Sequence, residues 1–340
     1  MTAIPTPINT IAALVDAEHE AKRGEPRAHL GASQIGHACE RKVWLDFRWA
    51  VPEKFPGRIL RVFRRGQNEE ATVYSDLEAA GLRVEAFDPE TKRQWWFSDG
   101  HFSGSCDGIV RGVPEAPKAH HLLEIKTHSL KSFSDLAKQG VKKSKPQHYA
   151  QMQVYMRKFQ CTRGLYYAVC KDDDNIYTER VELDLQVADG LIAKAKRLIA
   201  SDRMPPPLSA DPTWFECKWC AGHDLCHGSK TVREVHCRTC AHWTAEADGR
   251  STCAHWGADI PSVDAQRAGC DAHILHPDMV PWAYEPSERG VVWLTPHGRV
   301  ENGPTAPAYT SREIVANVAA CAGGLRDAWL EQFPEARVVG

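Results

Sequence analysis

The stretch from Gly104 to Lys126 constrains this chain more than any other. It reads G-S-C-D-G-I-V, passes a loop with two prolines, and continues H-L-L-E-I-K-T. The apolar flank Leu122, Leu123 and Ile125 predicts a largely buried strand, yet that strand carries Glu124 and Lys126. Side chains alternate along a strand, so these two share one face, with Ile125 turned behind them. Neither type favours strands, and a charge in a buried strand must be paired or hold a metal. Taken alone, an E-x-K pair reads equally well as a solvated edge pair of little energetic weight. Asp107, placed on the neighbouring strand, supplies a second hard oxygen ligand suited to Mg²⁺ or Mn²⁺, and Lys126 stands beside it to position or deprotonate a water. The chemistry expected of the trio is metal-assisted phosphodiester hydrolysis.

At 340 residues the chain is long enough for two domains, or one with an appendage. A hydrophobic content of 43% and a charged content of 25% are those of an ordinary globular protein, and no apolar run approaches a membrane span. Met1 to Thr10 shows no basic segment followed by an apolar core, so no secretory signal and a cytoplasmic location are expected. With 42 basic and 44 acidic residues the formal charge is −2, which by itself argues for no nucleic-acid partner. The distribution does. Arg58, Arg61, Arg64 and Arg65 fall at helical spacing, and Lys131, Lys138, Lys142, Lys143 and Lys145 follow the E-x-K strand. Such runs are usually solvated faces, but these flank the candidate metal site, where Arg61, Arg64, Arg65, Lys142, Lys143 and Lys145 are the expected phosphate contacts.

Taken in order, residues 1–7 read as disordered and 8–23 as an amphipathic helix. Ser33 is a candidate N-cap for a helix that carries Cys39, Trp44 and Phe47. A helix over 57–81 bears Glu69 and Glu70. A hairpin over 94–110 turns at Asp99-Gly100, with Asp107 on its second strand. The third strand is 121–127. Lys131–Lys145 reads as a basic, mobile connection able to grip phosphate, and the helix after Pro146 places Gln151 and Tyr155 on one face. A second hairpin pairs 164–170 with 176–183, and its acidic turn Asp172–Asp174 reads as solvated. A helix over 185–201 precedes the stiff linker Met204–Leu208. From Pro277 the chain is loop-rich, with a short strand at 291–294 and a helix from Ser311, capped by that residue, to about Cys321. The expected division is an N-terminal helix and tail over 1–29, a core domain over 30–230 and a Cys-rich region over 231–340.

Twelve cysteines in a cytosolic chain, some at C-x-x-C spacing, point to metal rather than disulfides. Cys217, Cys220 and Cys226 form C-x2-C-x5-C, one thiolate short of the four that an iron-sulfur cluster or a closed zinc site needs. Cys39 is one candidate for the fourth; His223 and His227 are local rivals that would favour zinc. A second group is Cys237-x2-Cys240, Cys253 and Cys270, in which the tetrapeptide C-A-H-W occurs twice. Four cysteines allow a closed all-thiolate zinc site of structural type, with His236, His242, His255 or His273 able to replace one of them and a second cluster as the rival. Cys106, Cys161, Cys170 and Cys321 read as packing residues.

With these parts assembled, residues from about 30 to 228 resemble the PD-(D/E)XK nuclease superfamily, and within it the iron-sulfur nucleases: the RecB-type domains and the CRISPR-adaptation exonucleases. Phage recombination exonucleases such as lambda exonuclease look like relatives without the cluster. Gly66 leading to Glu70 matches the family's early helix, Gly104 and Asp107 its G-x-x-D, Glu124 and Lys126 its E-x-K, and Gln151 and Tyr155 its Q-x3-Y. Cys39, Cys217, Cys220 and Cys226 match its cluster cysteines. Two positions depart: Cys106 stands where the family has Pro, and Glu70 replaces the His of the RecB type, as in phage exonucleases, which points to a phage or prophage origin.

The resemblance implies an α/β restriction-endonuclease-like core, a central mixed sheet flanked by helices, with a Cys-clasped helical cap. It implies Mg²⁺ or Mn²⁺ on Asp107, Glu124 and the Ile125 carbonyl, with Glu70 adding a ligand to that ion or to a second. Lys126 then activates or orients water, Gln151 steadies Lys126 or the scissile strand, and Tyr155 packs near DNA. Cys39, Cys217, Cys220 and Cys226 would hold a [4Fe-4S] cluster. The implied activity is a DNA exonuclease on linear ends or single strands in the cytoplasm of a bacterial or phage-infected host, with a phage recombination or single-strand-binding protein as partner and no membrane. A rival is a weak or inactive nuclease-fold factor that binds DNA or protein and acts on host defence; the intact Asp107, Glu124 and Lys126 argue against it. A zinc-organised transcription regulator rests on the tail alone, which lacks a helix-turn-helix.

Overall fold

The apolar run around Glu124 forms the central strand of a five-stranded mixed sheet. In the structure, a computed structural model describing residues 10–22, 24–228, 230–296 and 298–321 (backbone alone over 317–321), the order is Arg83–Glu85, Gly108–Arg111, His121–His128, Arg163–Cys170, Ile176–Glu182. Residues 1–7 and the Cys321 side chain lie outside the described part. His121–His128 pairs antiparallel with Gly108–Arg111 and parallel with Arg163–Cys170. A parallel pair needs a long crossover, here the helices Leu130–Ser144 and Pro146–Lys158. Leu123, Ile125, Leu165, Tyr167 and Val169 turn to one side of the sheet and bury Val73 and Leu77 of the helix Gly57–Ala79. Those two are four residues apart and share a face of that helix.

By contact the chain divides into two compact units. The first is 1–26, 53–97 and 104–192; the second is 27–52, 98–103 and 193–340. The Cys39 segment and both cysteine groups fall in the second unit. Its core gathers Trp44, Leu45, Ile274, Leu275, Met279, Trp293, Val300 and Ile314. Two small antiparallel sheets accompany it, one of Trp243–Ala245, Ser251–Cys253 and Ala258–Asp259, the other of Ala283–Pro286, Val291–Thr295 and Gly298–Asn302. Among the described residues no helix is long and apolar enough to cross a membrane.

Several expectations are corrected. Lys131–Lys145 is a helix over Leu130–Ser144, because Phe133, Leu136 and Val141 give it a buried face. It kinks at Gly140 (φ 75°), where the next amide, Val141, donates to Glu179 Oε2 at 2.8 Å. The acidic turn Asp172–Asp174 is exposed, as expected, and Asp172 also accepts from the first amide of this helix, Leu130, at 2.6 Å. Cys39 does not sit inside a helix started by Ser33; it caps the helix Glu40–Phe47, its sulfur accepting from the Lys42 amide at 3.5 Å. Asp107 lies in the break between the strands Phe102–Ser105 and Gly108–Arg111 rather than on a hairpin strand. The tail helix Ser311–Cys321 is closed by Thr310 and Glu313, each bonding the other's amide, while the Ser311 hydroxyl donates to the His273 carbonyl at 2.7 Å.

Candidate active site

The break at Asp107 exists because Gly108 has φ 148°, and a Cβ there would come within 3.0 Å of the Glu85 carbonyl. Only glycine lets the chain enter the sheet at that point. Gly108 pairs with Leu123, so Asp107 arrives beside Glu124. Its Oδ2 accepts from the Ile125 amide at 2.7 Å, and its carbonyl accepts from the Tyr74 hydroxyl at 2.7 Å. Glu124 is 0% exposed. Its Oε1 accepts from the Lys126 ammonium, which also donates to the Ile125 carbonyl at 3.1 Å. Glu124 Oε2 is buried with no hydrogen-bond partner.

Glu70 joins the group from the helix Gly57–Ala79. Burial and the charge of Asp107 push its carboxyl up to about 7, against an opposing effect of Lys126. Burial also raises Glu124 to about 7; Lys126 opposes this, while Asp107 and Glu70 add to it. Lys126 moves upward as well: burial favours its neutral form, but Glu124, Asp107 and Glu70 outweigh burial. Glu69 is felt elsewhere, at Tyr167, whose phenol is pushed up by burial, Asp76 and Glu69. Three carboxyls thus share one ammonium in a dry place. Such a cluster takes up protons near neutral pH unless a hard cation replaces them.

The residues fit a divalent ion in donor type, with carboxylate oxygens on Asp107 and Glu124, a carbonyl on Ile125, and an unbonded buried oxygen on Glu124. Among the described residues, no three His, Cys, Asp or Glu side chains are arranged to hold a metal ion as they stand. The Lys126 ammonium instead lies on two of the expected ligands, Glu124 and the Ile125 carbonyl.

The other expected residues separate. Gln151 is half-buried on the helix Pro146–Lys158. Tyr155, on the same helix, is 3% exposed and packs on Phe97 and Phe159. Arg61 pairs with Asp16, Arg64 meets His19 at 3.3 Å, and Arg65 donates to the Lys171 carbonyl at 3.1 Å. Lys142 and Lys143 are exposed, Lys142 lying over the Tyr149 ring; Lys145 approaches Asp135 at 3.6 Å. Cys106 is buried, its thiol pushed well up by burial.

Sequence reasoning missed two features. Tyr74 stands one helical turn after Glu70, a spacing that could have disclosed it. Tyr166 pairs with Glu124 across the strands, and its hydroxyl bonds His128 Nε2 at 2.9 Å and His148 Nδ1 at 2.8 Å. Burial, then Lys145 and Lys126, lowers His128 to about 4; burial, then Lys126 and His128, lowers His148 to about 3. Both are neutral at pH 7. Alternation along 121–128 puts His128 on the Glu124 face, the only signal for it in the sequence.

In the second unit Cys39, Cys217, Cys220 and Cys226 feel one another: Cys220 senses Cys226 and Cys39, and Cys226 senses Cys39 and Cys217. Burial raises both thiols, opposed at Cys226 by a hydrogen bond from Arg41 and at Cys220 by the Gly222 amide. His223 is turned to the Pro212 carbonyl, at 3.1 Å. Cys237, Cys240, Cys253 and Cys270 line one cavity together with His242, His255 and His273, whereas His236 bonds the Trp49 carbonyl at 3.3 Å.

No family model matches the sequence, and no curated protein matches it. Similar solved structures include SSO0001, 15% identical over 66% of this chain and 98% of its own, with a TM-score of 0.40. An alkaline exonuclease from Laribacter hongkongensis is 18% identical over 54% of this chain and 91% of its own, with a TM-score of 0.36. A phage-related exonuclease from Haemophilus somnus 129PT is 18% identical over 40% of this chain and 68% of its own, with a TM-score of 0.28.

Proposed function

We propose that the chain is a Mg²⁺- or Mn²⁺-dependent deoxyribonuclease acting on linear DNA ends or single strands. The observation that carries this reading is Glu124, a fully buried carboxyl with one oxygen on Lys126 and the other unbonded, inside a cluster of three carboxyls and one cation. Asp107, Glu124 and the Ile125 carbonyl would hold the ion, and Glu70 would add a ligand to it or to a second. When bound, the ion supplies Lewis-acid polarisation of the phosphoryl oxygen and a water acidic enough to attack at neutral pH. Lys126, whose ammonium form Glu124, Asp107 and Glu70 favour, would activate or orient the water and meet charge developing on the phosphate. Tyr74 holds the backbone at Asp107. Arg65, Lys142 and Lys143 meet the phosphates, while Arg61 and Arg64 contribute through the helix Thr10–Ala21 that they grip. Gln151 steadies Lys126 or the scissile strand, and Tyr155, buried among aromatic rings, supports that helix.

The four cysteines Cys39, Cys217, Cys220 and Cys226 would hold a [4Fe-4S] cluster of structural role; Cys226 lies within electrostatic reach of Cys39 and Cys217, Cys220 within reach of Cys226 and Cys39, and the Lys42 amide donates to the Cys39 sulfur. A second reading, a nuclease-fold factor that only binds DNA or protein, draws on the Lys126 ammonium lying on Glu124 and the Ile125 carbonyl, two of the expected metal ligands. Linear and circular DNA labelled at either end, incubated with Mg²⁺, Mn²⁺ or EDTA, separate the two. We expect divalent-dependent loss of label from linear DNA. Intact linear single- and double-stranded DNA with either ion would leave the binding reading.

A further inference from the structure

The second unit buries positive charge that has no counter-charge in contact with it. Arg238, inside the Cys237-x2-Cys240 knuckle, is 1% exposed, and Arg48 is 3% exposed. Arg238 donates to Gln266 Oε1 at 2.9 Å, the Phe47 carbonyl at 2.7 Å and the Ala28 carbonyl at 2.6 Å. Arg48 donates to the Arg238 and Ser201 carbonyls, both at 3.3 Å. Every one of these acceptors is neutral. Both guanidinium groups also lie over aromatic rings: Arg238 over Trp49 at 4.0 Å and Arg48 over Trp44 at 4.5 Å. Rings and carbonyls solvate a cation but do not neutralise it, and a buried charge of this kind calls for a partner of opposite sign. Asp202 and Asp278 act on Arg48 only from beyond contact, and Asp278 is itself paired with Arg203 at 3.0 Å.

The same unit draws Cys237, Cys240, Cys253 and Cys270 around one cavity of about 20 Å³. Roughly 10–15 Å³ admits a single water-sized guest, so the space suits one ion. The thiols surround it rather than meet at a point. The knuckle already presents a donor to sulfur, the His242 amide to Cys240 Sγ at 3.4 Å. His273 also lines the cavity: its Nε2 contacts the His236 carbonyl at 3.1 Å and the Thr239 hydroxyl at 3.2 Å, and its Nδ1 is buried without a partner. His242 and His255 line the cavity too, so three imidazoles stand as rival fourth ligands.

We propose that Cys237, Cys240, Cys253 and Cys270 bind one structural Zn²⁺ as an all-thiolate site, and that Arg48 and Arg238 are its built-in counter-charge. Binding releases the thiol protons to solvent, and four thiolates around a divalent ion make a dianion. Two buried monocations balance a dianion, whereas a site with His273 in place of one thiolate would carry a single negative charge. This zinc site is independent of the nuclease reading.

Metal content of the full chain, measured for zinc and iron together, is the first test. We expect zinc in the wild-type chain and one equivalent less in both Cys253→Ala and Cys270→Ala, with iron unchanged; zinc-edge absorption should show sulfur at about 2.3 Å. No zinc in the wild type, iron in place of that equivalent, or zinc unaffected by either variant overturns the site. If both variants fail to fold, the wild-type zinc content and sulfur shell decide. A nitrogen component that disappears in His242→Ala, His255→Ala or His273→Ala overturns the all-thiolate assignment. Arg238→Met should weaken zinc binding by about 10–100-fold, the usual effect of losing a group that supports metal ligands, and Arg238→Lys should restore much of it. Zinc held as tightly by Arg238→Met as by wild type removes the counter-charge role.

Discussion

The two units bury charge of opposite sign. In the first, Glu70, Asp107 and Glu124 crowd around one ammonium; in the second, Arg48 and Arg238 lie among Trp44, Trp49 and carbonyl oxygens. A folded interior tolerates neither excess for nothing, because desolvation costs more than neutral hydrogen bonds return. The sign of each excess names the missing partner. A surplus of carboxylates asks for a hard cation, and a surplus of guanidinium groups in a unit that also gathers four thiols asks for an anionic centre such as a metal thiolate.

The largest effect that would break this contrast lies at Lys126. Lys126→Met should reduce DNA cleavage by about 10²–10³-fold, the typical loss when a group that meets developing charge is removed. It also leaves three carboxyls without a cation, so metal-free protein at pH 8 should lose about 3 kcal/mol in denaturant titrations, as when one partner of a buried pair is deleted. Added Mn²⁺ should return stability but not activity. A variant that cleaves as wild type does would place the chemistry elsewhere.

Next in size is the response to pH, where the units should oppose each other. His276 is 6% exposed, packs edge-on to Trp44, and meets the Asp202 carbonyl at 3.0 Å and the Asp278 amide at 3.2 Å. Burial and then Arg48 lower it to about 4, with Asp278 and the Asp202 carbonyl opposing and Arg203 adding to the fall. Its pKa when folded is below the unfolded value of about 6.5, so its contribution is complete above pH 6.5 and is lost as pH falls toward 4, at most about 3 kcal/mol. His276→Gln should flatten that slope in denaturation midpoints between pH 7 and 4.5. An unchanged slope would assign the acid sensitivity to other groups.

Glu70 and Glu124 should act in the reverse direction. Their pKa values when folded, about 7, lie above the unfolded carboxyl value, so metal-free protein draws full stability from them below about pH 4.5 and loses it as pH rises through 7. Glu70→Gln and saturating Mg²⁺ should each weaken this decline. If the midpoint between pH 5 and 8 is indifferent to Mg²⁺, the carboxyl cluster does not bind the ion.

The acidic half of the contrast was legible in the sequence and the basic half was not. A Glu and a Lys two apart in an apolar strand are a local signal, and Gly66 to Glu70 is a spacing along one helix. Arg48 and Arg238 stand 190 positions apart, and each alone reads as a surface arginine; only tertiary packing buries them. Two strands of the tail were hidden for another reason: Ala283–Pro286 is exposed throughout and Gly298–Asn302 contains Gly, Arg, Glu and Asn, so neither carries a clear apolar alternation. The lysine-rich Leu130–Ser144 segment is a different failure. Phe133 and Leu136 already mark a helical face by their spacing, beneath lysines that dominate the charge of the segment.

The smallest effect tests how directly the polar shell of the first site takes part. Tyr74 donates to the carbonyl of Asp107 at the glycine break, not to its carboxylate. Tyr74→Phe removes that bond while keeping the ring, and it should cost about 1 kcal/mol of stability, the net value of one such bond. The strand register and the Asp107 to Ile125 bond remain to hold the carboxylate, so cleavage should fall only about tenfold or less, expressed in kcat rather than in KM for DNA. A loss as deep as that of Lys126→Met would mean that the phenol itself meets substrate. The backbone role would then give way to a direct one, and the acidic cluster would have a fifth working member.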